Sequence, residues 1–121
     1  MSQRVLVIED QEDNRRIVRD LLTSVGYEII EAMTGEEGVS SAETHLPDLI
    51  LMDIQLPGID GYEATRRIKA NPTLHRIPII AVTSYALSGD DLTAFEAGCD
   101  GYVSKPFSPR ALLAKIREYL P

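Results

Sequence analysis

Five short apolar runs alternate with five amphipathic stretches along this chain, and no other feature constrains its fold as strongly. The runs are Arg4–Asp10, Tyr27–Ala32, Leu49–Asp53, Pro78–Ser84 and Asp100–Lys105; the helical stretches cover 13–25, 35–45, 60–70, 88–97 and 108–119. Strands separated by helices pair in parallel through right-handed crossovers, with helices on both faces of the sheet. Such strands are buried on both sides, which explains unbroken runs such as Val5-Leu6-Val7-Ile8. The first helix is expected to turn Ile17, Val18, Leu21, Leu22 and Val25 to the core as one stripe. The last is expected to do so with Leu112, Leu113, Ile116 and Leu120. Thr34 with Glu37, Asp60 with Glu63, and Ser108 before Pro109 have the spacing of helix N-caps. Gly26 and Gly98 stand where C-terminal caps belong, and Asn71-Pro72 ends the third helix.

A length of 121 residues predicts a single domain over 1–121. No apolar run approaches the roughly 20 residues of a membrane span, so no membrane role is expected. The start, Met1-Ser2-Gln3-Arg4, leads straight into a strand, with no room for a signal peptide. Cys99 is the one cysteine, which excludes an internal disulfide and fits a reducing, cytoplasmic setting. The net charge of -7 argues against nucleic acid as a direct ligand and suits a cationic partner. His45 and His75 lack metal-ligand spacing, and Cys99 reads as a small buried residue.

Ligands of an open parallel sheet bind at the carboxyl ends of its strands, so the residues standing there matter most. They are Glu9-Asp10, Glu31-Ala32, Asp53, Thr83-Ser84 and Lys105-Pro106. If the first and third strands are neighbours, Asp10 and Asp53 face one crevice with Glu9 beside them. Two like charges about 4 Å apart repel by roughly 4 kcal/mol at an effective dielectric near 20. A divalent cation reverses that sign, and Mg²⁺ favours one or two carboxylates while leaving room for phosphate oxygens. Each residue also has a plainer account. Glu9-Asp10 could cap the following helix, Asp53 could simply lead into the Pro57-Gly58 turn, Lys105 could snorkel to solvent, and Thr83 could serve β-propensity. Their joint placement is what favours phosphate and metal chemistry.

These residues resemble the receiver domain of two-component response regulators. The likeness runs from Val5 to about Leu120 and rests on four segments: "VLVIEDQEDN", "PDLILMDIQLPGIDGYE", "IIAVTSYA" and "GYVSKPF". The resemblance implies a flavodoxin-like three-layer α/β/α sandwich with strand order 2-1-3-4-5. It implies Asp53 as phosphoacceptor and Asp10 as a direct ligand of Mg²⁺ (or Mn²⁺). Glu9 would act mostly through metal-bound water, and Gln55 would offer its backbone carbonyl. Thr83 and Lys105 would contact the phosphoryl group, Thr83 and Tyr102 would switch, and Lys105-Pro106 would be a cis peptide.

The implied function is phosphorelay signalling rather than enzymology. The domain would accept a phosphoryl group from a sensor histidine kinase or histidine phosphotransfer protein. A downstream protein would dock on the face of helix four, strand five and helix five. The chain reads as a stand-alone regulator, monomeric or weakly dimeric, of a type similar to relay intermediates and regulators of chemotaxis, cell polarity or division. An isolated receiver of a larger hybrid kinase or regulator is the alternative. A flavin- or nucleotide-binding domain is less favoured, because no Gly-rich phosphate loop follows the first strand. A never-phosphorylated scaffold would lack an acid, the threonine or the lysine, and a phosphoester hydrolase would need a substrate pocket that the small site was not expected to offer. Gln55, Ser84 and Tyr85 stand where they could tune hydrolysis of the phosphorylated form.

Overall fold

The computed structural model describes residues 3–83 and 90–120, with backbone alone at 90–92. The strands are β1 (Arg4–Ile8), β2 (Glu28–Ala32), β3 (Leu49–Asp53), β4 (Ile79–Thr83) and β5 (Gly101–Ser104). The helices are α1 (Glu12–Ser24), α2 (Gly35–His45), α3 (Gly61–Ala70), α4 (Asp90–Ala97) and α5 (Pro109–Arg117). Boundaries of β3 and α2 match the sequence reading, and the others differ by one or two residues. Of the expected segments, Ser84 and the helical positions 88 and 89 lie outside the described residues, as does Tyr85.

All pairings are parallel and the order is β2-β1-β3-β4-β5, the order the resemblance implied. Alternate residues of each central strand point to opposite faces. Leu6, Ile8, Ile50, Met52, Ile79 and Ala81 pack with Ala42, Ala64 and Ile68 of α2 and α3. Val5, Val7, Leu49, Leu51, Ile80 and Val103 pack with Val18 and Leu22 of α1 and with Leu112 and Ile116 of α5. Burying each large aliphatic side chain contributes about 1.5–3 kcal/mol. Leu49, Ile50, Leu51 and Met52 are all at most 3% exposed, so β3 is clamped from both faces up to Asp53.

The caps form locally. Thr34 Oγ1 accepts from Glu37 N at 3.0 Å, Asp60 from Glu63 N at 2.9 Å, and Ser108 from Ala111 N at 3.1 Å. Gly26 and Gly98 take φ of 98° and 113° just beyond α1 and α4, a region open to glycine at little cost. Neither Glu9 nor Asp10 caps α1, whose N-cap is Gln11 with no side-chain capping hydrogen bond.

The expected core stripe of α1 is narrower than its apolar residues. Val18 and Leu22 are buried, but Ile17 is 59% and Val25 40% exposed. The inner arc of α1 also carries Arg15, only 6% exposed. Among the described residues, no helix is long and apolar enough to cross a membrane.

Gly61 shows how tightly the turn after β3 is built. A Cβ there would stand 2.4 Å from the Asp53 carbonyl oxygen and 2.7 Å from Ile54 Cα. Backbone atoms cannot swing aside as a side chain can. Gly61→Ala is therefore expected to cost at least the 1–3 kcal/mol or so of an overpacked core. Gly26→Ala, with nothing within 4 Å of the new Cβ, is expected to cost only about 1 kcal/mol of backbone strain. Urea denaturation of both variants measures this; equal stability of Gly61→Ala and wild type would contradict the packing described.

Candidate phosphoacceptor and metal site

Strand register assembles the site. Ile8 of β1 pairs with Met52 of β3, so the next residues, Glu9 and Asp53, leave adjacent strands side by side. Thr83 of β4 pairs with Ser104 of β5, which delivers Lys105 to the same crevice. Lys105 N then donates to the Thr83 carbonyl at 2.8 Å, and Glu9 N donates to the Ala32 carbonyl at 3.0 Å. The Lys105-Pro106 peptide is cis.

The Lys105 ammonium donates to Glu9 Oε1 at 3.2 Å and to Asp53 Oδ2 at 3.3 Å. The other oxygen of each carboxylate accepts from backbone. Gln55 N donates to Asp53 Oδ1 at 3.0 Å, and Gln11 N to Glu9 Oε2 at 3.3 Å. Glu9 is 6% exposed, Asp53 4% and Thr83 0%, whereas Asp10 is exposed at the rim. Gln55 is an exposed residue two positions past Asp53.

Oxygen atoms of Glu9, Asp10 and Asp53 all lie within 4.8 Å of one another. Three carboxylates against one ammonium leave two negative charges uncompensated when all are ionised. Burial first, and then the neighbouring Asp53, push the Glu9 carboxyl above its ordinary range, against the pull of Lys105. Burial and Glu9 do the same to Asp10. Burial alone would lower Lys105, but the charges of Asp53 and Glu9 outweigh it and hold the ammonium above its usual pKa. An all-oxygen, carboxylate-rich donor set that is strained without further positive charge fits a hard divalent cation such as Mg²⁺.

The crevice is larger than the sequence reading expected. An open cavity of about 590 Å³ is lined by Glu9, Asp53 and Lys105 together with apolar Val7, Leu51, Val82 and Leu112. Tyr102 stands half-buried on β5, three residues before Lys105, and meets Phe95 of α4 edge-to-face, with ring centroids 6.2 Å apart. Phe95 is 46% exposed and was not singled out in the sequence. Nor was Arg15, whose guanidinium reaches the Glu9 carbonyl. Its sequence signal was faint: a basic residue six positions past Glu9, on a stretch of mixed charge.

The raised Glu9 carboxyl makes a signed prediction for the metal-free protein. A carboxyl that holds its proton more tightly folded than unfolded gives the folded state more bound protons between its two pKa values. Stability then falls as pH rises from the ordinary carboxylate range through the raised value. Lys105 has the same sign at alkaline pH: its contribution is complete below the ordinary lysine pKa and is lost as pH rises through the raised one. With chelator present, Glu9→Gln is expected to raise Tm at pH 7, and the gain is expected to shrink as pH falls toward 4. A lower Tm for Glu9→Gln at pH 7 would show that the Lys105 contact dominates instead.

Comparison with known proteins agrees with this geometry. Residues 5–117 match the response regulator receiver domain family. The polar-differentiation response regulator DivK of Brucella ovis is 43% identical over 120 residues, covering 99% of this chain and 98% of that protein. The receiver domain of the sensor histidine kinase PA1611 from Pseudomonas aeruginosa, crystallised with a magnesium ion in its active site cleft, superposes with a TM-score of 0.93. It is 38% identical, over 99% of this chain and 98% of that one. The chemotaxis response regulator CheY4 of Vibrio cholerae also superposes at 0.93, with 25% identity over 98% of this chain and 99% of that one. The chain belongs to the response regulator receiver domain family.

Proposed function

We propose that Asp53 is the phosphoacceptor of this receiver domain and that its phosphorylation switches a protein-docking face in a two-component phosphorelay. The observation that carries this reading is one ammonium, Lys105, bonded to both Glu9 and Asp53 while three carboxylates crowd within 4.8 Å. The acidic crevice suits metal-assisted phosphoryl transfer and disfavours direct phosphate binding.

Asp53 is the nucleophile. Its carboxylate oxygen attacks the phosphorus of a phosphohistidine on a histidine kinase or phosphotransfer protein. The new O–P bond forms as the P–N bond breaks, and the imidazole leaves with the electron pair and takes up a proton. The buried strand behind Asp53 holds the carboxylate in place, so much of the rate comes from positioning. Lys105 lies within reach to neutralise a phosphoryl oxygen, and Thr83 would donate a hydroxyl to another. Glu9, Asp10, Asp53 and the Gln55 carbonyl would hold Mg²⁺, or Mn²⁺. When bound, the ion supplies positive charge to the transferring phosphoryl group.

A phosphorylated Asp53 carries about two negative charges. Thr83 would move toward them and Tyr102 would turn inward, leaving the exposed edge of Phe95. The α4–β5–α5 face would thereby change shape for a downstream protein, by differential affinity of the phosphoryl group for two pre-existing forms. The setting is cytoplasmic, and the domain works by docking rather than by turnover of a substrate.

Incubation with acetyl phosphate and Mg²⁺ tests the acceptor by intact mass. One phosphoryl adduct is expected on the wild type, none on Asp53→Asn, and none on the wild type with excess chelator. Label persisting in Asp53→Asn would move the acceptor elsewhere.

A further inference from the structure

Arg15 is the buried basic side chain that the mechanism above leaves unused. Its side chain is 8% exposed, on the same inner arc of α1 as the buried Val18 and Leu22. A guanidinium cannot be neutralised there and is tolerated only if its donors are met. All three nitrogens find acceptors, each on a different segment. Nε donates to Glu31 Oε1 of β2 at 3.0 Å, Nη1 to the backbone carbonyl of Glu9 at 2.9 Å, and Nη2 to the Glu12 carboxylate of α1. Arg19 adds two contacts of 3.2 Å to the same Glu31, so Glu31 is itself held.

The Glu9 carbonyl is the telling acceptor. It belongs to the planar peptide that joins Glu9 to Asp10, so its direction sets how both carboxylates leave the backbone. β2 grips this junction twice: Ala32 O accepts from Glu9 N directly, and Glu31 aims the arginine that donates to the Glu9 carbonyl. The α1 N-cap, Gln11, makes no side-chain capping hydrogen bond; across the loop its amide donates to Glu9 Oε2 at 3.3 Å. We infer that Arg15 is a positioning residue for the divalent cation, gripping the Glu9–Asp10 peptide through its buried guanidinium and so presenting both carboxylates to the metal. The inference rests on the reading of Glu9, Asp10 and Asp53 as the Mg²⁺ site. Since Arg15 is buried, it acts from behind the site and not as a contact for a kinase.

Partners that orient metal ligands are worth about 10- to 100-fold in metal affinity. Calorimetric titration of the full chain with Mg²⁺ should therefore show binding weakened at least about tenfold in Arg15→Met. Arg15→Lys keeps the charge but lacks the fork that spans three acceptors, and is expected to weaken binding too. Ile68→Val, a core truncation on the other sheet face, is expected to lower Tm and leave Mg²⁺ affinity unchanged, which separates positioning from lost stability. Wild-type affinity in Arg15→Met overturns the inference; should that variant not fold, wild-type affinity in Arg15→Lys does so. If the wild type itself binds no Mg²⁺ at millimolar concentration, the reading of the site fails, and this inference fails with it.

Discussion

The contact on which the rest turns is the ammonium of Lys105 set between the carboxylates of Glu9 and Asp53. Both acids are almost wholly buried, and two buried carboxylates without a cation would cost several kcal/mol. Lys105 offsets part of that cost. With Asp10 at the rim, it leaves an excess of negative charge that a divalent ion can balance. The site is thus hydrogen-bonded well enough to fold around, yet carries excess negative charge when its acids are ionised.

The fold makes this contact possible. Parallel pairing brings β1, β3 and β5 to the same end of the molecule, and apolar residues on both faces fix where each strand stops. Glu9 and Asp53 follow paired residues directly, and Lys105 follows a pair between β4 and β5. The glycine at 61 lets α3 approach the backbone of Asp53 and Ile54 closely. Stability and chemistry meet at the ends of β1 and β3, where buried strands lead into costly buried carboxylates.

Much of this was legible because it is written in one dimension. Alternation of apolar runs and helical stripes set the architecture, and Thr34, Asp60 and Ser108 cap helices through bonds three residues away. The acids and the lysine could be gathered from their places at strand ends once the family resemblance made the first and third strands neighbours. Features that depend on how elements dock were not legible. Ile17 has the spacing of a core residue but faces solvent, because the sheet accepts only the arc centred on Val18 and Leu22. Arg15 reads as a surface residue, since arginine is seldom buried; its acceptors come from β1, β2 and α1 and converge only once the register of β1 and β2 is set. The Phe95–Tyr102 contact and the width of the crevice between α1 and α5 likewise depend on helix placement.

The proposed function comes down to a single chemical event, formation of an acyl phosphate at the end of β3. Borohydride reduction after acetyl phosphate treatment, followed by peptide mapping, locates that event directly, because reduction converts a phosphorylated aspartate into homoserine. The account predicts homoserine at position 53 and nowhere else; a reduced residue at Asp10 or at any other acid, with Asp53 intact, would contradict it.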